Sequence, residues 1–137
     1  MIKINEYFKF YNEINLQKYL QSFNENSADF NYCLHSVIVH KGSANCGHYY
    51  AYIKPYIENN WVLFDDEIVR PADFYEVFDN NFGGSHKYFK LKSKGEISET
   101  TYSFESNAYI LVYVKKSIRE NLINKINIES VRKYYKY

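Results

Sequence analysis

The sequence of 137 residues has few cysteines, prolines, glycines and tryptophans. It has two cysteines, two prolines, one tryptophan and five glycines. Cys33 and Cys46 are too few for a disulfide framework, and their spacing is not that of a CxxC metal pair. We therefore expect a reducing compartment, no metal and no other cofactor.

The sequence also has no excess of one charge and no long apolar run. Lysine and arginine number 17 against 16 aspartates and glutamates, a net charge of +1, so charge alone attracts neither nucleic acid nor an anionic membrane. The amino terminus, "MIKINEYFKF", lacks the apolar core of a signal peptide, and no run is long enough to span a bilayer. These absences predict an intracellular protein, in the cytoplasm or nucleus, with no membrane partner.

The apolar content is 46% and the aromatic content 20%, which is enough for a real core. Alternation predicts a strand in "IKINEYFKF", and helical spacing predicts helices over 15–23 and from Ser117 onward. The β-branched run Tyr32–His40 predicts a central strand buried on both faces. Further strands are predicted in "HYYAYIKP", "WVLFDDEIV" and "NAYILVYVKK", a short helix after Asp73, and a long flexible loop over 84–105. The fold class is α+β, mainly antiparallel sheet with a few short helices.

Two of these strands form a predicted hairpin around a four-residue loop at 56–59. In that register paired positions sum to 115, so Tyr50 faces Asp65. His48 and Asp65 then become diagonal neighbours on one face, with Cβ atoms about 7 Å apart. Asp66 points to the other face, and a slip of one residue would exchange the two aspartates.

A carboxylate that orients one imidazole nitrogen leaves the other free to take a proton. His48 and Asp65 would thus supply two members of a nucleophile, base and orienter triad. On geometry alone, a structural hydrogen bond is the more common role of such a pair, so both interpretations stay open at this point.

The motifs "YCLHSVIVHKGSANCGHYYAYIKP", "WVLFDDEIV" and "SNAYILVYVKK" resemble the histidine-box region of the ubiquitin-specific proteases, papain-like cysteine proteases that remove ubiquitin. "MIKINEYFKF" resembles the lead-in strand of the family's herpesvirus-associated member. The resemblance implies the palm portion of such a domain. Residues 1–117 would be the C-terminal part of the catalytic domain, and 118–137 a helix or connector.

Carried over by position, the resemblance implies that His48 is the general base and Asp65 its orienting acid. A subsidiary role near the scissile bond is left open for Asp66. Aromatic walls and a closely approaching backbone would form the narrow channel for the glycine-glycine end of ubiquitin, from His40, Gly47, Tyr49 and Tyr109. The loop 41–47 would cover that tail.

The family's nucleophilic cysteine lies in an upstream segment that these residues do not match. Cys33 is expected to be inert in its apolar strand. Cys46 is two residues from His48 on one strand, and this spacing gives its thiol poor geometry to act as the nucleophile with His48 as base. We therefore expect a ubiquitin carboxyl-terminal hydrolase fragment that is inactive alone. Its partners would be ubiquitin, ubiquitinated proteins and the upstream part of its own catalytic domain.

Two alternatives remain. A non-catalytic pseudoenzyme could bind ubiquitin or another partner without cutting, although such a module has no need of the His48 and Asp65 pair. Nucleic-acid binding through "HKYFKLKSK" is the weaker alternative, because such a stretch is much more often a solvated lysine-rich loop.

Overall fold

The computed structural model describes residues 2–20, 29–55, 58, 60–91 and 97–124. Its strands are β1 (Glu13–Asn15), β2 (Asn31–Gly42), β3 (Gly47–Ile53), β4 (Trp61–Asp65), β5 (Ile68–Ala72), β6 (Ser85–Leu91), β7 (Ile97–Ser103) and β8 (Ser106–Lys115). The helices are α1 (Phe74–Val77) and α2 (Lys116–Asn124), with 3-10 turns at Gln17–Tyr19 and Asp79–Asn81. The predicted class, a mainly antiparallel sheet with a few short helices, is confirmed.

Six strands form one antiparallel sheet around β2. On one edge of β2, β1 pairs with its beginning and β3 with its remainder, and β4 and β5 follow β3 outward. On the other edge, β8 pairs along almost the full length of β2. This central position explains why β2 is buried on both faces, as its β-branched run predicts.

The core lies on the sheet face covered by α1 and the turn after it. Its buried members come from the amino-terminal segment, three strands and the α1 region: Phe10, Leu34, Val37, Val39, Tyr52, Trp61, Leu63, Val77, Phe78 and Phe82. Asp73 begins α1 as predicted, because its side chain accepts the backbone N–H of Glu76 at 2.8 Å. The Glu76 carboxylate returns to the backbone N–H of Asp73, completing a capping box.

The amino-terminal segment is not the strand that its alternation predicts. Residues 2–10 instead cross to the turn after α1, where Phe8 N–H donates to the carbonyl of Phe82 at 2.7 Å and Gly84 N–H donates to that of Asn5 at 2.8 Å. Phe10 alone of its aromatic residues is fully buried. Among the described residues no strand pairs with this segment, and the backbone hydrogen bonds of Asn5 and Phe8 go to the irregular turn instead.

The helix predicted over 15–23 is also wrong within the described residues. Asn15 ends β1, and its side chain accepts the N–H of Gln17 at 2.9 Å, a local bond that competes with helical hydrogen bonding. Only the 3-10 turn Gln17–Tyr19 follows, and Leu20 is extended. Residues 21–23 lie outside the described residues.

The loop predicted over 84–105 contains a two-stranded sheet instead. β6 and β7 pair antiparallel from Ser85 opposite Ser103 to Leu91 opposite Ile97. Phe89 and Ile97 are mostly exposed, so this hairpin covers no core on their side and its sequence shows no clean alternation of buried and exposed residues. That is why the pattern did not predict it.

The predicted carboxy-terminal helix is present as α2, and its predicted continuation beyond residue 124 lies outside the described residues. Ile118 and Leu122 share one helical face but are about half exposed, whereas Arg119 is buried. Neither helix of the described chain is long and apolar enough to cross a membrane.

Candidate functional site

The predicted register of the β3–β4 hairpin is confirmed. Ala51 pairs with Phe64, and Ile53 pairs with Val62, so paired positions sum to 115. His48 and Asp65 come together as this register requires, with 2.5 Å between His48 Nε2 and Asp65 Oδ1. Because Asp65 engages Nε2, the neutral ring presents its lone pair at Nδ1.

Asp66 does not point away from His48, contrary to the prediction. The prediction assumed a continuous strand, but β4 ends at Asp65, and Asp66 occupies a turn with a φ of 49°. Aspartate tolerates this left-handed conformation better than most residues. The turn brings Asp66 Oδ2 to 3.9 Å from His48 Nε2, so both carboxylates lie beside the imidazole.

The two carboxylates set the electrostatics of His48. The hydrogen bond from Asp65 raises the pKa of the His48 imidazole above its ordinary value, and the negative charges of Asp65 and Asp66 add to that effect. Partial desolvation and the Lys41 ammonium oppose it. The arrangement therefore stabilises an imidazolium, which is what a base needs once it has accepted a proton.

The predicted channel residues form an aromatic cluster on the opposite face of β3. His40 pairs with Tyr49 across the β2–β3 ladder, with ring centroids 4.5 Å apart. Tyr109 lies 5.4 Å from the Tyr49 ring in an edge-to-face contact. Between Ile38–Ile110 and Val39–Ala108 the β2–β8 pairing shifts by one, which leaves Tyr109 as the extra, bulged residue whose side chain can be re-aimed.

Gly47 directly precedes His48 in β3 and lies against the His40 ring of the aromatic cluster. A Cβ at Gly47 would overlap the His40 ring and come within 2.7 Å of the Lys41 carbonyl oxygen. Only glycine lets β2 and β3 approach this closely. The four predicted channel residues thus share one end of the sheet.

Lys3 is a residue of this region that the sequence pattern missed. Its ammonium donates to three backbone carbonyls, those of His40 (3.0 Å), Gly42 (3.1 Å) and Glu105 (2.9 Å). It thereby ties the amino-terminal segment to the end of β2, where the loop 43–46 begins. The sequence carries no signal for it, since the acceptors are backbone atoms distant along the chain.

The two cysteines lie in different surroundings. Cys33 is buried, and its thiol donates to the Val114 carbonyl at 3.5 Å. Cys46 is exposed, and it lies in a bend rather than in the extended strand that the prediction assumed. Its carbonyl accepts the N–H of Ser43 at 2.8 Å, which closes the turn before β3.

One group of side chains among the described residues could offer three ligand atoms to a metal. It consists of His48, Asp65 and Asp66, whose ligand atoms all lie within 4.8 Å of one another. Two ligands on one zinc ion stand roughly 3 Å or more apart at ordinary bond lengths. The separation of His48 and Asp65 is instead that of a hydrogen bond, so the geometry favours a proton-transfer pair over a metal centre.

A mainly antiparallel sheet of this kind, with a few short helices, is the architecture of a portion of a papain-like ubiquitin hydrolase domain. The family model for ubiquitin carboxyl-terminal hydrolases matches residues 1–113. The chain belongs to that family.

The chain is similar to several members over nearly its whole length. It is 39% identical to ubiquitin carboxyl-terminal hydrolase 15 of Schizosaccharomyces pombe over 96% of the chain, and 35% identical to ubiquitin carboxyl-terminal hydrolase 7 of Drosophila melanogaster over 91%. It is 32% identical to ubiquitin carboxyl-terminal hydrolase 15 of Saccharomyces cerevisiae over 98%. The matched regions are 11%, 10% and 12% of these relatives, so the chain spans about a tenth of their length.

Proposed function

We propose that this chain supplies the base and orienting acid of a cysteine-type deubiquitinase. The carrying observation is the 2.5 Å contact between His48 Nε2 and Asp65 Oδ1, which leaves Nδ1 as the nitrogen that exchanges protons. Family membership supports ubiquitin and ubiquitinated proteins as the partners.

In the proposed reaction, Nδ1 of His48 takes the proton of a cysteine thiol. The thiolate forms a C–S bond to the carbonyl carbon of ubiquitin's last glycine, and His48 returns the proton to the lysine amine as the C–N bond breaks. Water then hydrolyses the thioester with His48 again as base, which releases the ubiquitin carboxylate and restores the thiol. Asp65 holds the ring throughout, and Asp66 adds negative charge beside it.

We propose that the nucleophile lies outside these 137 residues, in the upstream part of the same catalytic domain. The burial of Cys33 and the turn position of Cys46 support this proposal. The chain alone would then be inactive.

The channel for the ubiquitin tail would be formed by His40, Gly47, Tyr49 and Tyr109, because aromatic faces and a backbone without a side chain suit an extended glycine pair. Within the family, residues 1–10 support similarity to the herpesvirus-associated member.

A ubiquitin whose carboxyl terminus carries an electrophile tests where the nucleophile lies. We expect no labelling of the 137-residue chain, and labelling of a protein that contains this chain together with the upstream domain. Labelling of Cys46 in the short chain, lost in His48→Ala, would make Cys46 the nucleophile and overturn this part of the proposal.

Turnover by the longer protein tests the roles of the charged residues. His48→Ala should lower turnover by about 10²- to 10⁴-fold while ubiquitin binding is retained. Asp65→Asn should impair turnover more than Asp66→Asn, and Glu67→Gln, which removes an exposed carboxylate from the same turn, is the matched control with no expected effect. Equal losses of binding and turnover in His48→Ala would instead indicate a structural role and favour a ubiquitin-binding pseudoenzyme.

A further inference from the structure

We propose that Tyr50 is a positioning residue, which holds the His48 ring in the orientation in which Asp65 accepts its Nε2–H. Tyr50 lies two residues after His48 in β3, so both side chains project from the same face of the sheet. The β3–β4 register, in which paired positions sum to 115, places Tyr50 opposite Asp65. One side chain therefore adjoins both members of the candidate catalytic pair. The inference rests on the proposed function, because it concerns the orientation of the proposed base.

The Tyr50 ring stands beside the His48 ring. The two ring centroids are 6.2 Å apart, and the ring planes are inclined by 28°. Tyr50 is itself packed against the buried core and meets the Tyr52 ring edge-on at 5.7 Å. The His48 side chain is 45% exposed, and exposed side chains change rotamer rapidly unless a neighbour restricts them. A fixed ring beside His48 supplies that restriction.

The Tyr50 hydroxyl is anchored at the far end of the side chain. Burial raises the pKa of the Tyr50 phenol, and hydrogen bonds with the Ser106 and Tyr52 side chains oppose that increase. The Ser106 hydroxyl donates its one proton to the Asn80 carbonyl at 3.1 Å, so its oxygen is the acceptor for Tyr50. The ring beside His48 is thus tied to the first residue of β8 and, through it, to the 3-10 turn after α1.

Water competes for the hydrogen bond between His48 and Asp65. The Asp65 side chain is 32% exposed, so a pair that turned freely would exchange its mutual hydrogen bond for bonds with water. Tyr50 is partly buried and adjoins both side chains. It therefore occupies space from which water would otherwise reach them, and a hydrogen bond shielded from water is electrostatically stronger.

Tyr50 is separate from the residues of the proposed channel. Successive residues of a strand point to opposite faces, and Tyr49 belongs to the aromatic cluster with His40 on the other face of β3. Tyr50 therefore acts through His48 and has no place in the proposed channel for the ubiquitin tail. A change at Tyr50 should alter the state of the His48 ring while ubiquitin affinity is retained.

The first experiment observes the His48 ring by NMR in the 137-residue chain and needs no enzymatic activity. Ring nitrogen chemical shifts at pH 9 report which nitrogen carries the proton, and we expect Nε2 because Asp65 accepts from it. Tyr50→Leu removes the ring and the hydroxyl, so it should produce a mixture of both tautomers. It should also lower the His48 pKa, because the Asp65 hydrogen bond is the largest cause of its increase.

Two further variants isolate the hydroxyl anchor. Tyr50→Phe and Ser106→Ala each remove one end of the same hydrogen bond, so each should mix the tautomers of His48 less than Tyr50→Leu does. The double variant Tyr50→Phe/Ser106→Ala should change the ring no more than either single variant, because both act on one bond. Additive effects would overturn the anchored arrangement on which the inference depends.

Two controls separate positioning from a general loss of packing. Leu34→Val weakens the buried core roughly 23 Å along β2 from Lys41, the residue that pairs with His48. Tyr75→Phe removes the hydroxyl of an exposed tyrosine in α1. Both controls should leave the tautomer and the pKa of His48 unchanged. A change in Leu34→Val as large as that in Tyr50→Leu would overturn the inference.

Turnover by the longer protein, which includes the upstream domain, separates this inference from the proposed function. Tyr50→Leu should lower kcat about tenfold or more with KM unchanged, because a misplaced base acts only after ubiquitin is bound. Tyr50→Phe should recover part of that loss. A changed His48 ring with unchanged turnover would support the positioning by Tyr50 and contradict the role of His48 as the base.

Three further results would overturn the inference. One is a single, unchanged tautomer of His48 in Tyr50→Leu, even if turnover falls. Another is a higher His48 pKa in that variant, which would show that Tyr50 only desolvates the ring. The third is a loss of ubiquitin affinity as large as the loss of turnover. If Tyr50→Leu fails to fold by circular dichroism, Tyr50→Phe and Ser106→Ala decide the question.

Discussion

His40 and His48 lie in neighbouring strands, yet their surroundings push their imidazoles in opposite directions. Burial and the Lys3 ammonium lower the pKa of His40, whereas the Asp65 hydrogen bond raises that of His48. Both effects favour the neutral form of the His40 ring. His48 is the histidine of this hairpin that is tuned to hold a proton.

The first prediction concerns the titration of His48. Asp65→Asn should lower the His48 pKa markedly and Asp66→Asn should lower it less, because Asp65 makes the hydrogen bond. Glu67→Gln should leave it unchanged. Histidine ring resonances followed by NMR from pH 5 to 9 provide the measurement, and a larger effect of Asp66→Asn would show that Asp66 is the main partner.

The same raised pKa predicts how stability depends on pH. A group whose pKa is higher in the folded state stabilises the fold below its unfolded value, about 6.5, and loses that contribution as the pH rises through the folded value. Asp65→Asn should therefore lower the free energy of unfolding more at pH 6 than at pH 9. Urea unfolding at the two pH values measures this difference, and equal losses would contradict it.

A second prediction concerns the close approach at Gly47. In Gly47→Ala the new methyl group meets the His40 ring and the Lys41 carbonyl, so the strands must separate, at a cost of about 1–3 kcal/mol. Urea unfolding measures the loss, and the His40 ring resonances should move. Ala44→Gly, in the loop that joins the same strands, is the control and should change stability by roughly 0.5 kcal/mol or less. A stable Gly47→Ala with unmoved His40 would contradict the packing.

At the scale of elements, the sequence predicts well where neighbours along the chain decide the structure. The β3–β4 register follows from the loop length and the residue types, and the Asp73 cap follows from its position before α1. The sequence predicts poorly where a distant segment decides. Residues 2–10 bond to an irregular turn, the β6–β7 hairpin has exposed apolar residues, and the approach of Asp66 depends on where β4 ends.

The third prediction concerns the capping box of α1. A helix of one turn has few hydrogen bonds of its own, so Asp73→Ala should lower the free energy of unfolding by about 1 kcal/mol. Asp73→Asn retains an oxygen that accepts the Glu76 N–H and should recover most of that loss. Urea unfolding of both variants is the measurement. Equal destabilisation by alanine and asparagine would mean that the cap bond is not what stabilises α1.

At the scale of the whole molecule, the amino-terminal segment has one buried aromatic anchor, Phe10, in addition to its hydrogen bonds near the surface. Phe10 stacks on Phe78 with ring centroids 5.2 Å apart and meets Phe82 edge-on at 5.1 Å. Its neighbour Phe8 is 66% exposed. The segment therefore contributes Phe10 to the core, while most of its other residues lie on the surface.

The fourth prediction follows from that anchor. Phe10→Ala should lower the free energy of unfolding by about 3–5 kcal/mol, since it empties a buried aromatic site. Phe8→Ala should cost far less, because its side chain is mostly in solvent and its backbone hydrogen bond to Phe82 remains. Chemical denaturation compares the two variants. Similar losses would show that the segment is held by its backbone rather than by Phe10.

The pairing of β2 with β8 has a consequence for how the chain folds. The Cys33–Val114 contact joins residues 81 positions apart, and the Lys3–Glu105 contact joins residues 102 apart. Contacts of such long range form only after large loops have closed, and the entropy cost of closing those loops slows folding. During synthesis, β2 therefore waits for its partner until residues 106–115 have left the ribosome, and its unpaired edge meanwhile invites mispairing or a chaperone.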